Sequence, residues 1–180
     1  MPDLWLSLGS NLGNREATLR AALDALTAAG VVVDAVSALY ATAPQGVVDQ
    51  PEFLNCVAKA ETDLSAQAAL LRCQAVETAN GRERTVHWGP RTLDIDILFY
   101  DDIRSTDPAL VLPHPRLWER AFVLAPLLEL WPDLVAPDGE TGQRLLGRLL
   151  HDQRVRLLSA ANWAPAGVPT TGSASPHAGQ

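Results

Sequence analysis

The stretch His87-Trp88-Gly89-Pro90-Arg91-Thr92-Leu93-Asp94-Ile95-Asp96-Ile97-Leu98 decides how the rest of the chain is read. From Leu93 onward it alternates with the period of two expected of a strand with one buried face. Leu93, Ile95, Ile97 and Phe99 are expected on the core side, with Asp94 and Asp96 together on the other. Two carboxylates so placed repel each other unless a cation or polar ligand lies between them. Magnesium held against substrate phosphates resolves that repulsion, because the ion takes a few carboxylate oxygens and completes its shell elsewhere. Arg91 stands three residues before the first Asp, after a Gly-Pro turn. Taken alone, D-x-D is better explained as a solvated edge strand. The attached W-G-P-R and the arginines upstream turn the reading toward a phosphate site.

Working outward, Arg82-Glu83-Arg84-Thr85-Val86-His87 is polar and precedes the strand. Before it, Ser65 can cap a helix that Gly81 would end. On that helix Gln74 and Glu77 are three apart and so share a side, which spacing alone reads as a solvated face. Leu54 to Thr62 reads as a strand, with Phe53 at its start and Asn55 on the same face. A stacking aromatic beside an amide suits a flat heterocycle. The loop Thr42 to Glu52 is long for a compact domain, and such loops are often functional. Val31 to Ala41 reads as one strand, and Leu4, Leu6 and Leu8 mark the first. Between them Asn14 can cap a helix with Leu19, Leu23 and Leu26 as its buried stripe. The order strand, helix, strand, strand, helix, strand predicts an α+β chain. Its core is a ferredoxin-like βαββαβ unit with an antiparallel sheet and helices on one face.

Downstream, Pro113-His114-Pro115 is a rigid extended piece. Arg116 to Leu130 reads as a helix broken by Pro126, and Glu140 to Ala161 as a final helical region. These form a C-terminal helical extension. From Ala164 the composition shifts to Pro, Gly, Ser, Thr and Ala, so residues 1–163 are expected as one domain and 164–180 as a disordered tail. The chain of 180 residues carries a net charge of −7, which argues against a nucleic-acid partner. Cys56 and Cys73 fit neither a disulfide framework nor a zinc site. With no basic leader and no apolar run near ~20 residues, a cytoplasmic, non-membrane protein is expected, and a monomer.

Four collinear segments together resemble the 6-hydroxymethyl-7,8-dihydropterin pyrophosphokinase family. They are Leu8-Gly9-Ser10-Asn11-Leu12-Gly13-Asn14-Arg15, then Tyr40 to Pro44 with Gln50 to Asn55, then His87 to Leu98, and Pro113 to Leu117 with Glu119 to Phe122. The resemblance implies transfer of the β,γ-pyrophosphoryl group of ATP to the hydroxymethyl oxygen of the pterin, leaving AMP. It implies that Asp94 and Asp96 hold two magnesium ions, and that Arg82 and Arg91 act on the transferring phosphates. By the same resemblance Thr42, Ala43, Pro44, Gln45, Phe53, Asn55 and Phe122 bind the pterin. Gln74, Glu77, Arg84, Trp88, His114 and Arg120 match positions on the nucleotide side. His87 stands where the family commonly has a permanently charged base, Trp118 where many relatives have His, and Phe53 where some have Tyr. The rival readings are another magnesium-dependent nucleotidyl- or phosphotransferase on the same frame, and a non-enzymatic ferredoxin-like ligand-binding module.

Overall fold

The computed structural model describes residues 1–43, 51–80, 92–159 and 162–171. The elements run β1 (Asp3–Ser10), α1 (Arg15–Ala28), β2 (Val32–Val36), β3 (Leu39–Thr42), β4 (Phe53–Glu61), α2 (Ala66–Ala79) and β5 (Asp94–Tyr100). They continue with β6 (Ser105–Asp107), β7 (Leu110–Leu112), a 3-10 turn (Leu117–Glu119), α3 (Ala121–Leu130), α4 (Gly142–Leu149) and β8 (Val155–Ser159). The sheet order is β5-β1-β4-β3-β8, with β2 also paired to β4, and every named pairing within it is antiparallel. Through β5 this is the expected ferredoxin-like arrangement. Both expected caps form: Asn14 accepts from the Ala17 N–H and Ser65 from the Ala68 N–H.

The sheet is covered on both faces. Leu4, Leu6 and Leu8 of β1 pack with α1 and α2 through Leu19, Leu23, Leu26, Ala69 and Cys73. Trp5, Val57 and Leu98 point the other way and pack under Leu124, Leu127 and Leu128 of α3 and Leu145 of α4. The C-terminal extension is therefore a third layer, and Trp5 of β1 is buried beneath it.

Several expectations need correction. The Val31–Ala41 run is two strands, because backbone groups at Ser37 and Ala38 leave the ladder for partners elsewhere. Ser37 C=O accepts from the Trp163 indole at 3.0 Å, and the Ala38 N–H donates to Glu129 at 2.8 Å and to Thr171 Oγ1 at 2.9 Å. Leu98 is an extra residue between the pairs Trp5–Phe99 and Leu6–Ile97, a β-bulge. Phe99 consequently packs with Trp118 on the α3 side rather than with Ile95 and Ile97. The expected break at Pro126 falls instead at Arg120, whose backbone is extended between the 3-10 turn and α3. Pro126 lies inside α3, since its fixed φ is helical and its missing N–H costs one bond.

The helix expected to Ala161 ends at Leu149, and β8 follows as an added edge strand on β3. The apolar positions Leu145, Leu146 and Leu149 support only two turns before the free edge of β3 recruits the chain. The tail boundary at Ala164 is also corrected. Trp163 is 1% exposed, Ala164 and Val168 pack on the core, and Pro169 and Thr171 hydrogen-bond the backbone of Val36. Residues 172–180 lie outside the described residues. No described helix is long and apolar enough to cross a membrane.

Candidate active site

Antiparallel register puts directly opposed residues on the same face. Thr42 opposes Phe53, Tyr40 opposes Asn55, Asn55 opposes Gly9, and Gly9 opposes Asp94. In the next row Val57 opposes Ser7 and Ser7 opposes Asp96. The Asp pair expected from the alternation thus lies on the α3 side of the sheet, beside Asn55 and Phe53, at the end of β1 where Gly9 stands.

Asn55 is 3% exposed, and its Nδ2 donates to Thr42 Oγ1 at 2.9 Å. That bond turns the amide oxygen toward Gly9, where an added Cβ would lie 3.0 Å from Oδ1. Gly9 is accordingly part of the floor, a residue that sequence reasoning quoted within a motif without giving it a role. Phe53 and Phe122 are both half-buried. A cleft of about 290 Å³ is lined by Thr42, Ala43, Phe122, Asp152, Gln153, Arg154 and Val155. The last four were missed because their segment read as helix.

The charged side is built by β5, the Pro-His-Pro segment and the start of α3. Asp96 Oδ2 lies 3.4 Å from Arg120 Nη1 and 3.9 Å from His114 Nε2. His114 is placed by its own N–H, which donates at 2.9 Å to the C=O of the bulged Leu98. Its Nδ1 accepts the Arg116 N–H at 3.2 Å, so the neutral ring carries its proton on Nε2, toward Asp96. Burial lowers the His114 pKa, and the Asp96 carboxylate only partly offsets this. Burial likewise lowers that of Arg120, which stays charged. The Arg120 guanidinium sits 5.7 Å from the Phe122 ring centre, joining the two sides of the site.

Glu77 is 2% exposed, not on a solvated face. Its Oε1 accepts the Ile95 N–H at 2.8 Å, which anchors β5 between the two aspartates. Gln74, one turn earlier on α2, is half-buried. Pro44, Gln45, Arg82, Arg84, His87, Trp88 and Arg91 lie outside the described residues. Among the described residues no three His, Cys, Asp or Glu side chains converge into a closed metal cage.

Paired carboxylates facing a half-buried arginine and histidine, next to an aromatic-flanked amide, suit a phosphate-handling transferase on a ferredoxin-like frame. The comparisons narrow this. The model of the family described as 7,8-dihydro-6-hydroxymethylpterin-pyrophosphokinase matches residues 5–132, and the chain belongs to that family. A Methylorubrum extorquens protein named 2-amino-4-hydroxy-6-hydroxymethyldihydropteridine pyrophosphokinase is 45% identical over 150 residues, covering 83% of this chain and 94% of that one. Its Bacillus subtilis namesake is 45% identical over 127 residues, covering 70% and 76%. A crystal structure of a Plasmodium falciparum HPPK-DHPS triple mutant has a TM-score of 0.66 at 17% identity. This chain spans 44% of that protein's length, and the likeness speaks to the fold. The activity is pyrophosphoryl transfer from ATP to hydroxymethyldihydropterin, a step of folate biosynthesis.

Proposed function

We propose that Thr42, Phe53 and Asn55 of the sheet, with Phe122 of α3, bind the pterin while Asp94, Asp96, His114 and Arg120 receive the magnesium triphosphate. The carrying observation is the shared sheet face, on which Asn55, Gly9 and Asp94 stand in one row with Asp96 in the next. The ring stacks on the half-buried Phe53 and Phe122, and its hydrogen-bonding edge meets the Asn55 amide and the backbone near Thr42, Ala43, Pro44 and Gln45. Thr42 holds that amide in one orientation, so its oxygen is left to accept from the ligand.

Asp94 and Asp96 would hold two magnesium ions carried in with the nucleotide, supplying charge neutralisation of the triphosphate. Two adjacent carboxylates, with no third His, Cys, Asp or Glu converging on them among the described residues, suit an ion that keeps phosphate and water in its shell. The half-buried Arg120 and the Nε2–H of His114 donate toward phosphate oxygens, Glu77 fixes β5 from behind, and Gln74 lies on the nucleotide side. Arg84 and Trp88 are assigned to the nucleotide and Arg82 and Arg91 to the transferring group, where guanidinium forks match phosphate oxygens. The hydroxymethyl oxygen bonds to the β-phosphorus as the bond to the oxygen shared with the α-phosphorus breaks, leaving AMP. This positioning chemistry needs donors fixed before reaction. The reading takes the enzyme as a monomer in the cytoplasm, with neither nucleic acid nor membrane as partner, supported by the net charge of −7.

The test is to incubate the protein with Mg²⁺-ATP and the hydroxymethyl pterin and identify the products. AMP with a pterin diphosphate is expected. ADP would mean transfer of a single phosphoryl group, and its appearance as the main product would overturn the assignment.

A further inference from the structure

Helix α3 begins without a local cap: Arg120 at its N-cap has no side-chain oxygen, and no side-chain cap bond forms from it. The acceptor comes from far along the chain. Gln153 Oε1 accepts the Ala121 N–H at 2.8 Å, and its Nε2 donates to the Glu119 C=O at 2.8 Å. These two bonds straddle Arg120. A primary amide suits this place because it offers one acceptor and one donor side by side, complementary to a peptide. Gln153 also lines the cleft with Thr42, Ala43 and Phe122. It lies beyond the residues that the family model matches.

We propose that Gln153 is a positioning residue for pterin recognition: its amide clamps the peptides on both sides of Arg120 and thereby sets where the Phe122 ring and the Arg120 guanidinium stand. The inference rests on the assignment of Phe122 to the pterin. Arg120 is the extended break between the 3-10 turn and α3, so its direction is not fixed by helical bonding on its N-terminal side. With the clamp in place, Arg120 reaches Asp96 at 3.4 Å and lies 5.7 Å from the Phe122 ring centre. Without it, the 119–121 backbone can rotate, and both groups lose their fixed relation to the cleft. Ordering a wall before binding favours affinity because less freedom is lost on association.

The experiment titrates the pterin into full-length protein by fluorescence and records Tm for wild type, Gln153→Met, Gln153→Glu, Phe122→Ala and Thr62→Val. Gln153→Met keeps the length and removes both bonds; we expect pterin Kd to rise about 10-fold, the size of losing one to two net hydrogen bonds. Gln153→Glu keeps the acceptor for Ala121, with its charge at a helix N-terminus, and should lose about 3-fold. Thr62 donates to the Gly30 C=O at 2.7 Å on the far side of the sheet, and its valine variant is the control for stability lost elsewhere. A Kd for Gln153→Met within 2-fold of wild type, while Phe122→Ala is strongly impaired, overturns the clamp. So does a rise in Kd for Thr62→Val equal to that for Gln153→Met. If Phe122→Ala binds as wild type, the pterin assignment itself fails and the clamp with it.

Discussion

Replacing Gly9 with alanine tests the floor of the proposed pterin site at one atom. The added Cβ would stand 3.0 Å from Asn55 Oδ1, 3.9 Å from the Leu54 carbonyl oxygen and 3.9 Å from Phe53 Cδ1. Only the first of these is tight, and an ordinary carbon–oxygen contact needs a few tenths of an ångström more. The amide cannot swing freely, because Nδ2 is held by Thr42 Oγ1 at 2.9 Å and the residue is 3% exposed. The displaced oxygen therefore moves within the site, where it is assigned to the pterin edge. Misplacing one hydrogen bond costs about 1 kcal/mol, so the pterin Kd should rise on the order of 5- to 10-fold. Stability should hardly change, since alanine at a compatible backbone gains roughly 0.4–1 kcal/mol through the unfolded chain, which offsets the contact. Fluorescence titration gives the Kd and a thermal melt gives Tm, which should move by no more than about 4 °C. An unchanged Kd for Gly9→Ala beside a clear loss for Asn55→Ala would show that the floor has slack, and would refute the reasoning.

Asp96→Asn should lower turnover by about 10²-fold or more through loss of a preorganised charge. Because the Asp96 carboxylate raises the His114 pKa against the dominant effect of burial, the same change should lower that pKa further. Imidazole NMR titration of metal-free, nucleotide-free protein reads this, and an unshifted midpoint would mean that the two groups do not interact. Trp163→Ala should cost about 3–5 kcal/mol as a core truncation, and a urea midpoint equal to wild type would deny the packing of the C-terminal segment. Burial, reinforced by the Glu77 charge, pushes the Cys73 thiol up to about 12. The folded state holds that proton more tightly than the unfolded chain. Its contribution to stability is therefore complete below pH ~9 and is lost as pH rises from there through 12. At pH 8 native protein should resist thiol reagents at Cys73 and react only when unfolded, so rapid native labelling there would contradict the burial.

What the sequence carried and what it did not divides along a physical line. Asn14 and Ser65 were legible as caps because a cap is a short-range contact. The shared face of Asp94 and Asp96 was legible because it follows from strand period alone. The bulge at Leu98 was not, since an extra residue in one strand shows only against its partner, and it moved Phe99 to the opposite face. Glu77 looked like a solvated helix residue because its acceptor role depends on where β5 passes, eighteen positions further on. The Gln153 bonds and the strand β8 depend on contacts still more distant, with an edge of β3 that local pattern cannot show to be free. Trp163 was placed at the end of the domain by composition, yet its indole closes a backbone gap at Ser37.

The arrangement of the α3-side face explains how the core and the proposed site occupy one surface without competing. Strand period puts Trp5, Ser7 and Gly9 on that face in sequence along β1. At the Trp5 end it is sealed, with Trp131 stacked 5.2 Å from Trp5 and Phe99 against Trp118 and Trp131. In the middle Val57 and Leu98 lie under α3. At the Gly9 end the apolar cover stops, because the chain entering α3 is extended at Arg120 and turns its charged side chain to Asp96. The same helix thus buries one end of the face through Leu124, Leu127 and Leu128 and bounds the open end through Phe122. A substitution that tilts α3 should act on both ends at once. One that alters only Arg120 or its Gln153 clamp should act at the open end and leave the core packed, which is why affinity and Tm must be read together to separate them.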